Sequence, residues 1–196
     1  MFIEVLVIGI GALTAVVLLM MALIGPTSTA KAAPIAGSSA ATGVALAAAY
    51  ALGILLDRAA DAVLTPYRRR LRTRFFPSNS SHAAARLRLA DFPVLAARAD
   101  YARSRMRICR GWLFNCLALT VTADMAMLRY SFDNRLLTLC ATTAFGLVTA
   151  YGFFRAWRAL TATGYRKLAE QTGPHPTSSA LPAQSQPDGV SGMRHP

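Results

Sequence analysis

Long uncharged stretches constrain this chain more than any other feature. Residues 5–24, 35–56 and 136–154 carry no charged side chain, and residues 111–128 carry only Asp124. Each stretch is close to the length that a helix needs to cross about 30 Å of hydrocarbon. Hydrophobic residues make up 54% of the chain and charged residues only 15%, which is unusual for a soluble domain. The sequence therefore predicts an all-α fold, a helical integral membrane protein with four transmembrane helices.

The first stretch can also be interpreted as a secretory signal peptide. Ala30, Lys31 and Ala32 follow it and resemble a small-x-small cleavage site. A basic amino-terminal region is missing, because Glu4 is the only charged residue before the stretch, and twenty apolar positions exceed a usual signal core. We expect the stretch to be retained as a transmembrane helix, and cleavage of residues 1–32 is the alternative.

Small residues occupy two four-residue registers of the second stretch. One register holds Ser39, Gly43, Ala47 and Ala51, and the other holds Ala41, Ala45, Ala49 and Gly53. Small side chains let helix backbones approach closely, which is how helices associate in lipid. We expect the first register to pack against another helix. That helix belongs either to the same chain or to a second copy in a homo-oligomer.

Arginines crowd the segment between the second and third stretches, since residues 57–110 hold 13 of the 21 basic side chains. In the first part of this segment, apolar residues recur every three or four positions and arginines fill the complementary face, which predicts a basic amphipathic helix. The apolar face consists of Ala60, Val63, Leu64, Tyr67, Leu71 and Phe75. We expect this helix to lie at the membrane interface, bent at Pro66. It is expected to bind anionic lipid or an acidic partner through Arg68, Arg69, Arg70, Arg72 and Arg74.

A second helical part follows a break at residues 77–81. Ser80 or Ser81 is expected to cap a helix that begins near His82, which should be solvent-exposed. Another break falls at Asp91 and Pro93. No helix breaker then occurs before the third stretch, which predicts a cytoplasmic helical stalk, of coiled-coil or single-helix type, continuous with the third transmembrane helix.

Asp57 and Asp61 stand where the second stretch ends. They share one helix face at a spacing of four, and paired carboxylates of this kind can bind a cation or act as acid and base. Arginines crowd the same region of the chain. We therefore expect salt bridges, not a metal or catalytic site.

Asp124 is the acidic residue that lies well inside a predicted span. Cys116 and Thr120 share its helix face, and Thr138, Thr142 and Thr149 share a face of the next helix. An antiparallel hairpin would bring Asp124 level with residues 138–142. These intramembrane polar residues either form interhelical hydrogen bonds, with Asp124 able to reach Arg129 or Arg135, or line an ion or proton path. Asn115, near the other end of the same span, is expected to be structural.

The familiar catalytic motifs are missing from the chain. It contains no GxSxG, no HExxH and no phosphate-cradling glycine loop. Cys109, Cys116 and Cys140 fall in apolar surroundings without a CxxC pair, so they are expected to be small buried residues. We expect no enzyme activity, no metal and no cofactor.

The distribution of basic residues predicts the orientation in the membrane. With four spans, 18 basic residues lie on one side, and only Lys31, Arg129 and Arg135 lie on the other. Because basic residues near span ends are retained in the cytoplasm, a plasma (inner) membrane protein with both termini cytoplasmic is predicted. Trp112 and Trp157 should then lie at one depth, as in an interfacial aromatic belt. Residues 171–196 are rich in Pro, Ser, Gly and Gln and are expected to form a disordered tail.

Two hypotheses for the function follow. The leading one is a self-associating membrane scaffold or effector whose arginine-rich region binds anionic lipid or an acidic partner. The alternative is a channel or transporter subunit with a polar path past Asp124. Nucleic acid is not an expected partner, because regularly spaced aromatic residues are missing from the basic region and the topology already accounts for its charge.

Overall fold

Five α-helices make up the part of the chain that the computed structural model describes, residues 2–25, 38–90, 93–130 and 134–172. They are α1 (Phe2–Ile24), α2 (Ser39–Arg72), α3 (Asn79–Ala90), α4 (Pro93–Arg129) and α5 (Arg135–Thr172). Four helices are long and apolar enough to cross a membrane: α1, α2, residues 97–129 of α4, and residues 135–171 of α5. The predicted all-α class with four candidate spans is therefore confirmed. The possible cleavage site at residues 30–32 and the predicted tail beyond Thr172 lie outside the described residues.

Helices α1 and α2 cross with their backbones in close contact. A Cβ atom added at Gly9 would lie 1.7 Å from the carbonyl oxygen of Ala49, and one added at Gly53 would lie 2.1 Å from that of Val5. Only glycine fits such a crossing, so the register of Ala49 and Gly53 packs within the chain. The register that we expected to pack is exposed here, and an added Cβ at Gly43 would meet no described atom within 4 Å. Its other members, Ser39, Ala47 and Ala51, are exposed as well.

Helices α4 and α5 form the antiparallel pair that the short connection between them predicts. At their crossing, a Cβ at Gly146 would lie 1.8 Å from Oγ1 of Thr120, so glycine is required there too. A buried apolar cluster joins this pair to α2 and consists of Leu64, Leu113, Cys116, Ala150 and Trp157. The cluster fixes the second half of α2 against α4 and α5.

Helix α2 continues unbroken from the second apolar stretch through the first arginines. Pro66 lies inside it. The predicted apolar face is divided between two environments: Ala60, Leu64 and Leu71 are buried within the protein, whereas Val63 and Tyr67 are exposed. Half of the apolar face that we expected to lie at the membrane interface is therefore buried within the protein, and the interfacial position of this helix stays a prediction.

Helix α3 begins earlier than the sequence suggested. Oγ of Ser78 accepts a hydrogen bond from the backbone N–H of Ser81 at 3.1 Å, so Ser78 provides the cap that we assigned to Ser80 or Ser81. His82 is half-buried, not solvent-exposed. Its ring stands edge-on to those of Phe76 and Tyr165, with centroids 5.1 Å and 5.7 Å away. These ring contacts attach α3 to α5.

Two further expectations need correction. Trp112 and Trp157 do lie at the same end of the α4–α5 pair, but Trp157 is only 4% exposed and belongs to the buried cluster. It therefore acts as a core residue and not as a residue of an interfacial aromatic belt.

Among the cysteines, Cys116 is buried and Cys109 half-buried, as expected, whereas Cys140 is exposed.

Candidate functional site at the arginine-rich end

Charged side chains from three helices meet at one place in the structure. They come from the beginning of α1, the middle of α2 and the first half of α4. We name this group the ion-pair cluster. It consists of Glu4, Asp57, Asp61, Arg107 and Arg110. The helix crossings described above bring these residues together from positions that are far apart in sequence.

Arg110 is the centre of the ion-pair cluster. Its Nη2 lies 2.5 Å from Oδ1 of Asp57, and its Nη1 contacts Oδ1 of Asp61. One guanidinium thus bridges two carboxylates one helical turn apart, which matches the planar fork of arginine donors. The side chains of Asp57 and Arg110 are each only 13% exposed, so this contact is largely shielded from water.

Arg107 connects α1 to the same group. Its Nε lies 3.5 Å from Oδ2 of Asp57, and its Nη1 lies 3.8 Å from Oε2 of Glu4. The hydroxyl of Ser104 also donates a hydrogen bond to Glu4. The expected salt bridges of Asp57 and Asp61 are confirmed, but most partners come from α4 and not from α2 itself. The sequence analysis did not predict that Glu4 joins these ion pairs, although the predicted orientation placed Glu4 at the arginine-rich end of the protein.

The remaining described carboxylates of this end also have arginine partners. Asp100 pairs with Arg103 at 2.5 Å, and Glu170 lies 3.8 Å from Arg166. Together with the three acidic residues of the ion-pair cluster, they complete the described acidic side chains at this end. Each described acidic side chain of this end therefore has at least one arginine partner.

A groove between α2 and α5 collects three such arginines. We name it the arginine groove and define it by Tyr67, Arg70, Arg74, Phe154, Trp157 and Arg158, which line a cavity of about 190 Å³. Tyr67 meets Phe154 edge-on at 5.9 Å, and Phe154 stacks on Trp157 at 6.0 Å. An aromatic wall and a cationic rim therefore face the same space.

The arginines of the groove differ from those of the ion-pair cluster in their partners. Arg70, Arg74 and Arg158 are exposed, and none of them contacts a carboxylate in residues 2–25, 38–90, 93–130 or 134–172. Guanidinium groups without a protein anion are available to bind phosphate or carboxylate from elsewhere.

The five arginines that we expected to bind lipid or a partner are thus divided. Arg68 pairs with Asp61 at 3.1 Å, and Arg72 donates to Oδ1 of Asn79 at 2.6 Å. Arg69 is exposed, outside the groove. Arg70 and Arg74 enter the groove, where α5 adds Arg158. Sequence reasoning missed Arg158 because nothing in the local pattern shows which face of α5 meets α2.

The polar residues inside the spans are arranged differently from our expectation. Oγ1 of Thr143 lies 2.8 Å from Oδ2 of Asp124 and is its hydrogen-bond donor, although Thr143 was not among the predicted residues. Oδ1 of Asp124 is buried and has no hydrogen-bond partner in the described part of the chain. Of the two arginines considered as partners, Arg135 instead donates to the carbonyl of Leu128 at 2.6 Å.

The predicted neighbours of Asp124 satisfy their hydroxyl groups elsewhere. Thr120 donates to the carbonyl of Cys116 on its own helix, and Thr142 approaches Sδ of Met127 at 3.8 Å. Thr138 donates to the carbonyl of Asn134, the residue before α5, and Thr149 donates to that of Phe145 within α5. Among the described contacts, the hydrogen bond from Thr143 joins Asp124 to α5.

Asn115 has the structural role that we expected. It is fully buried, and its Nδ2 donates to the carbonyl of Ile8 at 2.8 Å. A Cβ at Gly11 would lie 2.5 Å from that same nitrogen, so glycine leaves the space that the amide occupies. Asn115 therefore fixes the crossing of α1 and α4.

Comparison with known proteins does not extend these observations. No protein-family model, no curated protein and no solved structure matches the chain. The case for a function therefore rests on the two groups of arginines and on Asp124.

Proposed function

We propose that this protein is a self-associating scaffold of the plasma (inner) membrane, with both termini in the cytoplasm, whose arginine-rich end binds anionic lipid. One observation carries the proposal. The described carboxylates at that end are already paired with arginines, whereas Arg70, Arg74 and Arg158 contact none of these carboxylates. These guanidinium groups lie beside helices that are long enough to span a bilayer. The anionic phosphates of the cytoplasmic leaflet are therefore the partner that we propose for them.

The lipid part of the proposal is tested by the affinity of the purified, full-length protein for individual lipids. We expect phosphatidylglycerol to bind more tightly than phosphatidylcholine, and the difference to shrink as salt is added, because salt screens the attraction between exposed charges. Equal affinities for the two lipids at low salt would overturn this part.

Orientation is tested with a reporter at the carboxyl terminus. A fusion to an enzyme that is active only outside the cytoplasm should be inactive, because 18 of the 21 basic residues are assigned to the cytoplasmic side. A fusion at residue 131, in the connection assigned to the opposite side, should be active and is the control. The reverse pattern would contradict the orientation.

Self-association is supported by the exposed register of α2. Ser39, Gly43, Ala47 and Ala51 form a strip of small residues that is exposed within the described part of the chain, while the neighbouring register makes the close crossing with α1. A second copy bound there would gain the close backbone approach on which helix association in lipid depends.

Substitution of this strip tests the assembly. Gly43→Leu with Ala47→Leu should convert the oligomer to the monomer in detergent without unfolding the chain, because the added side chains point into open space. Val44→Phe adds bulk at a neighbouring exposed position and is the control. An unchanged mass of the double variant by light scattering would contradict the assembly through this strip.

A second candidate function is an ion or proton channel subunit, and it is favoured by Asp124. A buried carboxylate oxygen without a hydrogen-bond partner in the described residues is costly inside a span, and such groups often belong to ion pathways. Ion flux into liposomes that contain the protein, lost in Asp124→Asn, would establish this function. Under the scaffold proposal, neither the wild type nor Asp124→Asn conducts ions.

A further inference from the structure

The arginine groove has the chemistry of a site for one phospholipid headgroup. Arg70 lies in the last turn of α2 and Arg74 in the turn that follows the helix, and Arg158 faces them from α5. Arginine donors match phosphate oxygens in pairs, so three guanidinium groups around one cavity can bind a single phosphodiester. No described carboxylate competes for these groups.

The size and the wall of the groove narrow the choice of ligand. A volume of about 190 Å³ is below the range of about 300 to 1,000 Å³ that is usual for sites enclosing a whole drug-sized ligand. It suits a headgroup and its phosphate, with the rest of the molecule outside. Tyr67, Phe154 and Trp157 provide an apolar and aromatic wall, which suits the glycerol backbone better than free phosphate or nucleic acid.

The position of the groove agrees with a lipid ligand. Phe154 is the last residue of the fourth apolar stretch, and Arg158 follows one turn later. The aromatic wall therefore begins where the hydrocarbon is expected to end, and the arginines extend toward the phosphates. Aromatic and basic residues at this level are typical of the membrane boundary.

We propose that the arginine groove is a specific binding site for one anionic glycerophospholipid, with Arg70, Arg74 and Arg158 on the phosphate and Tyr67, Phe154 and Trp157 against the glycerol and the first carbons of the acyl chains. This inference rests on the proposed membrane function, because it requires the groove to open toward the cytoplasmic leaflet. It adds a defined site and stoichiometry to what would otherwise be a diffuse attraction.

The test compares two charge-matched variants of the full-length protein in detergent. Arg70→Gln/Arg74→Gln/Arg158→Gln removes the cationic rim, whereas Arg98→Gln/Arg155→Gln/Lys167→Gln removes three exposed charges outside the groove. Apparent dissociation constants for dioleoyl phosphatidylglycerol and dioleoyl phosphatidylcholine are measured by native mass spectrometry. Ammonium acetate near 1 M is used, because a Debye length of about 3 Å suppresses the diffuse attraction.

We expect the wild type to bind one phosphatidylglycerol more tightly than phosphatidylcholine. The groove variant should bind phosphatidylglycerol at least about tenfold more weakly, because it lacks the three guanidinium groups that would contact the phosphate. The control variant should stay close to the wild type. Equal losses in the two variants would overturn the specific site and leave the general lipid proposal intact, whereas no preference in the wild type at any salt concentration would overturn both.

Two further measurements identify the ligand and the place of binding. An excess of inorganic phosphate should leave phosphatidylglycerol bound. Displacement of phosphatidylglycerol by inorganic phosphate would show that the groove binds a soluble phosphate instead. In a Trp112→Phe background, Trp157 is the only tryptophan. Phosphatidylglycerol with brominated acyl chains should quench its fluorescence more than brominated phosphatidylcholine does, and the groove variant should abolish that difference. Quenching that the groove variant leaves unchanged would contradict binding in the groove.

Discussion

The ion-pair cluster and the arginine groove lie at the same end of the protein and use arginine in opposite ways. Arg110 is 13% exposed and bridges two carboxylates, so its charge is neutralised within the fold. Arg158 is exposed and contacts no described carboxylate. The first arrangement connects helices, and the second leaves a charge available to a ligand.

Burial and pairing, not residue type, therefore decide what an arginine does in this protein. A shielded pair loses hydration on both partners and depends on their mutual contact, so removal of one partner leaves an uncompensated charge. An exposed guanidinium keeps its hydration and can exchange water for phosphate at little cost. We therefore expect substitutions in the ion-pair cluster to affect stability, and substitutions in the groove to affect binding.

The largest effect should follow from Asp57→Asn. It removes the carboxylate that Arg107 and Arg110 share and leaves their charges poorly compensated, which should lower the free energy of unfolding by about 3 kcal/mol. Reversible unfolding in mixed detergent micelles, followed by circular dichroism, measures this change. Asp100→Asn breaks an exposed pair and should cost less than about 1 kcal/mol. Equal losses from the two substitutions would remove the distinction between shielded and exposed pairs.

A double variant sharpens the same point. Asp57→Asn combined with Arg110→Gln should be less destabilised than the two single losses added together, because removal of both partners leaves less uncompensated charge. Additive losses would mean that Asp57 and Arg110 contribute independently.

A smaller effect should appear on acidification, through His82. Burial lowers the pKa of His82 from its ordinary value of 6.5, and the charges of Arg72 and Arg86 lower it further. The folded state therefore favours neutral His82, so its contribution is fully present above pH 6.5 and is lost as the pH falls below that value. Docking of α3 against Tyr165 should weaken accordingly.

Hydrogen exchange of residues 79–90, corrected for the intrinsic effect of pH, measures this docking. Protection should fall between pH 7.5 and pH 5.5 in the wild type, whereas His82→Phe, which keeps a ring between Phe76 and Tyr165, should show a smaller fall. The same loss in both proteins would assign the pH dependence to another group.

The smallest effect on stability should come from the groove. Arg70→Gln/Arg74→Gln/Arg158→Gln should change the free energy of unfolding in lipid-free detergent by no more than about 0.5 kcal/mol per site, because exposed side chains that pair with no described carboxylate contribute little to the fold. The same unfolding measurement applies. A loss as large as that of Asp57→Asn would show that these arginines hold the fold together and would erase the contrast between the two regions.

Much of the fold could be predicted from the sequence. The apolar stretches gave the four candidate spans, and the absence of a breaker after Pro93 gave the continuous helix α4. The salt bridges of Asp57 and Asp61 followed from the excess of arginine around them. These features depend on local composition and spacing, which a sequence displays directly.

The partners across helices could not be predicted. A step of one residue turns a helix by about 100°, so the sequence favoured Thr138 and Thr142 as neighbours of Asp124, whereas the structure selects Thr143. Likewise, we expected the register of Gly43 in α2 to pack, whereas the crossing at Gly9 and Gly53 uses the other register of small residues and leaves Gly43 exposed. Helix rotation is set by packing over the whole interface, which no local pattern encodes.

The helices, their apolar lengths and the concentration of arginine in one region can be predicted from the sequence, because hydrophobicity and charge are properties of single residues. Which arginines are neutralised and which remain available depends on how the helices pack. Glu4 and Arg107 are 103 positions apart, and Arg74 and Arg158 are 84 apart, yet each pair shares a site. The close helix crossings bring such residues together, and the depth of each side chain in the bundle determines whether its charge connects helices or remains available to a ligand.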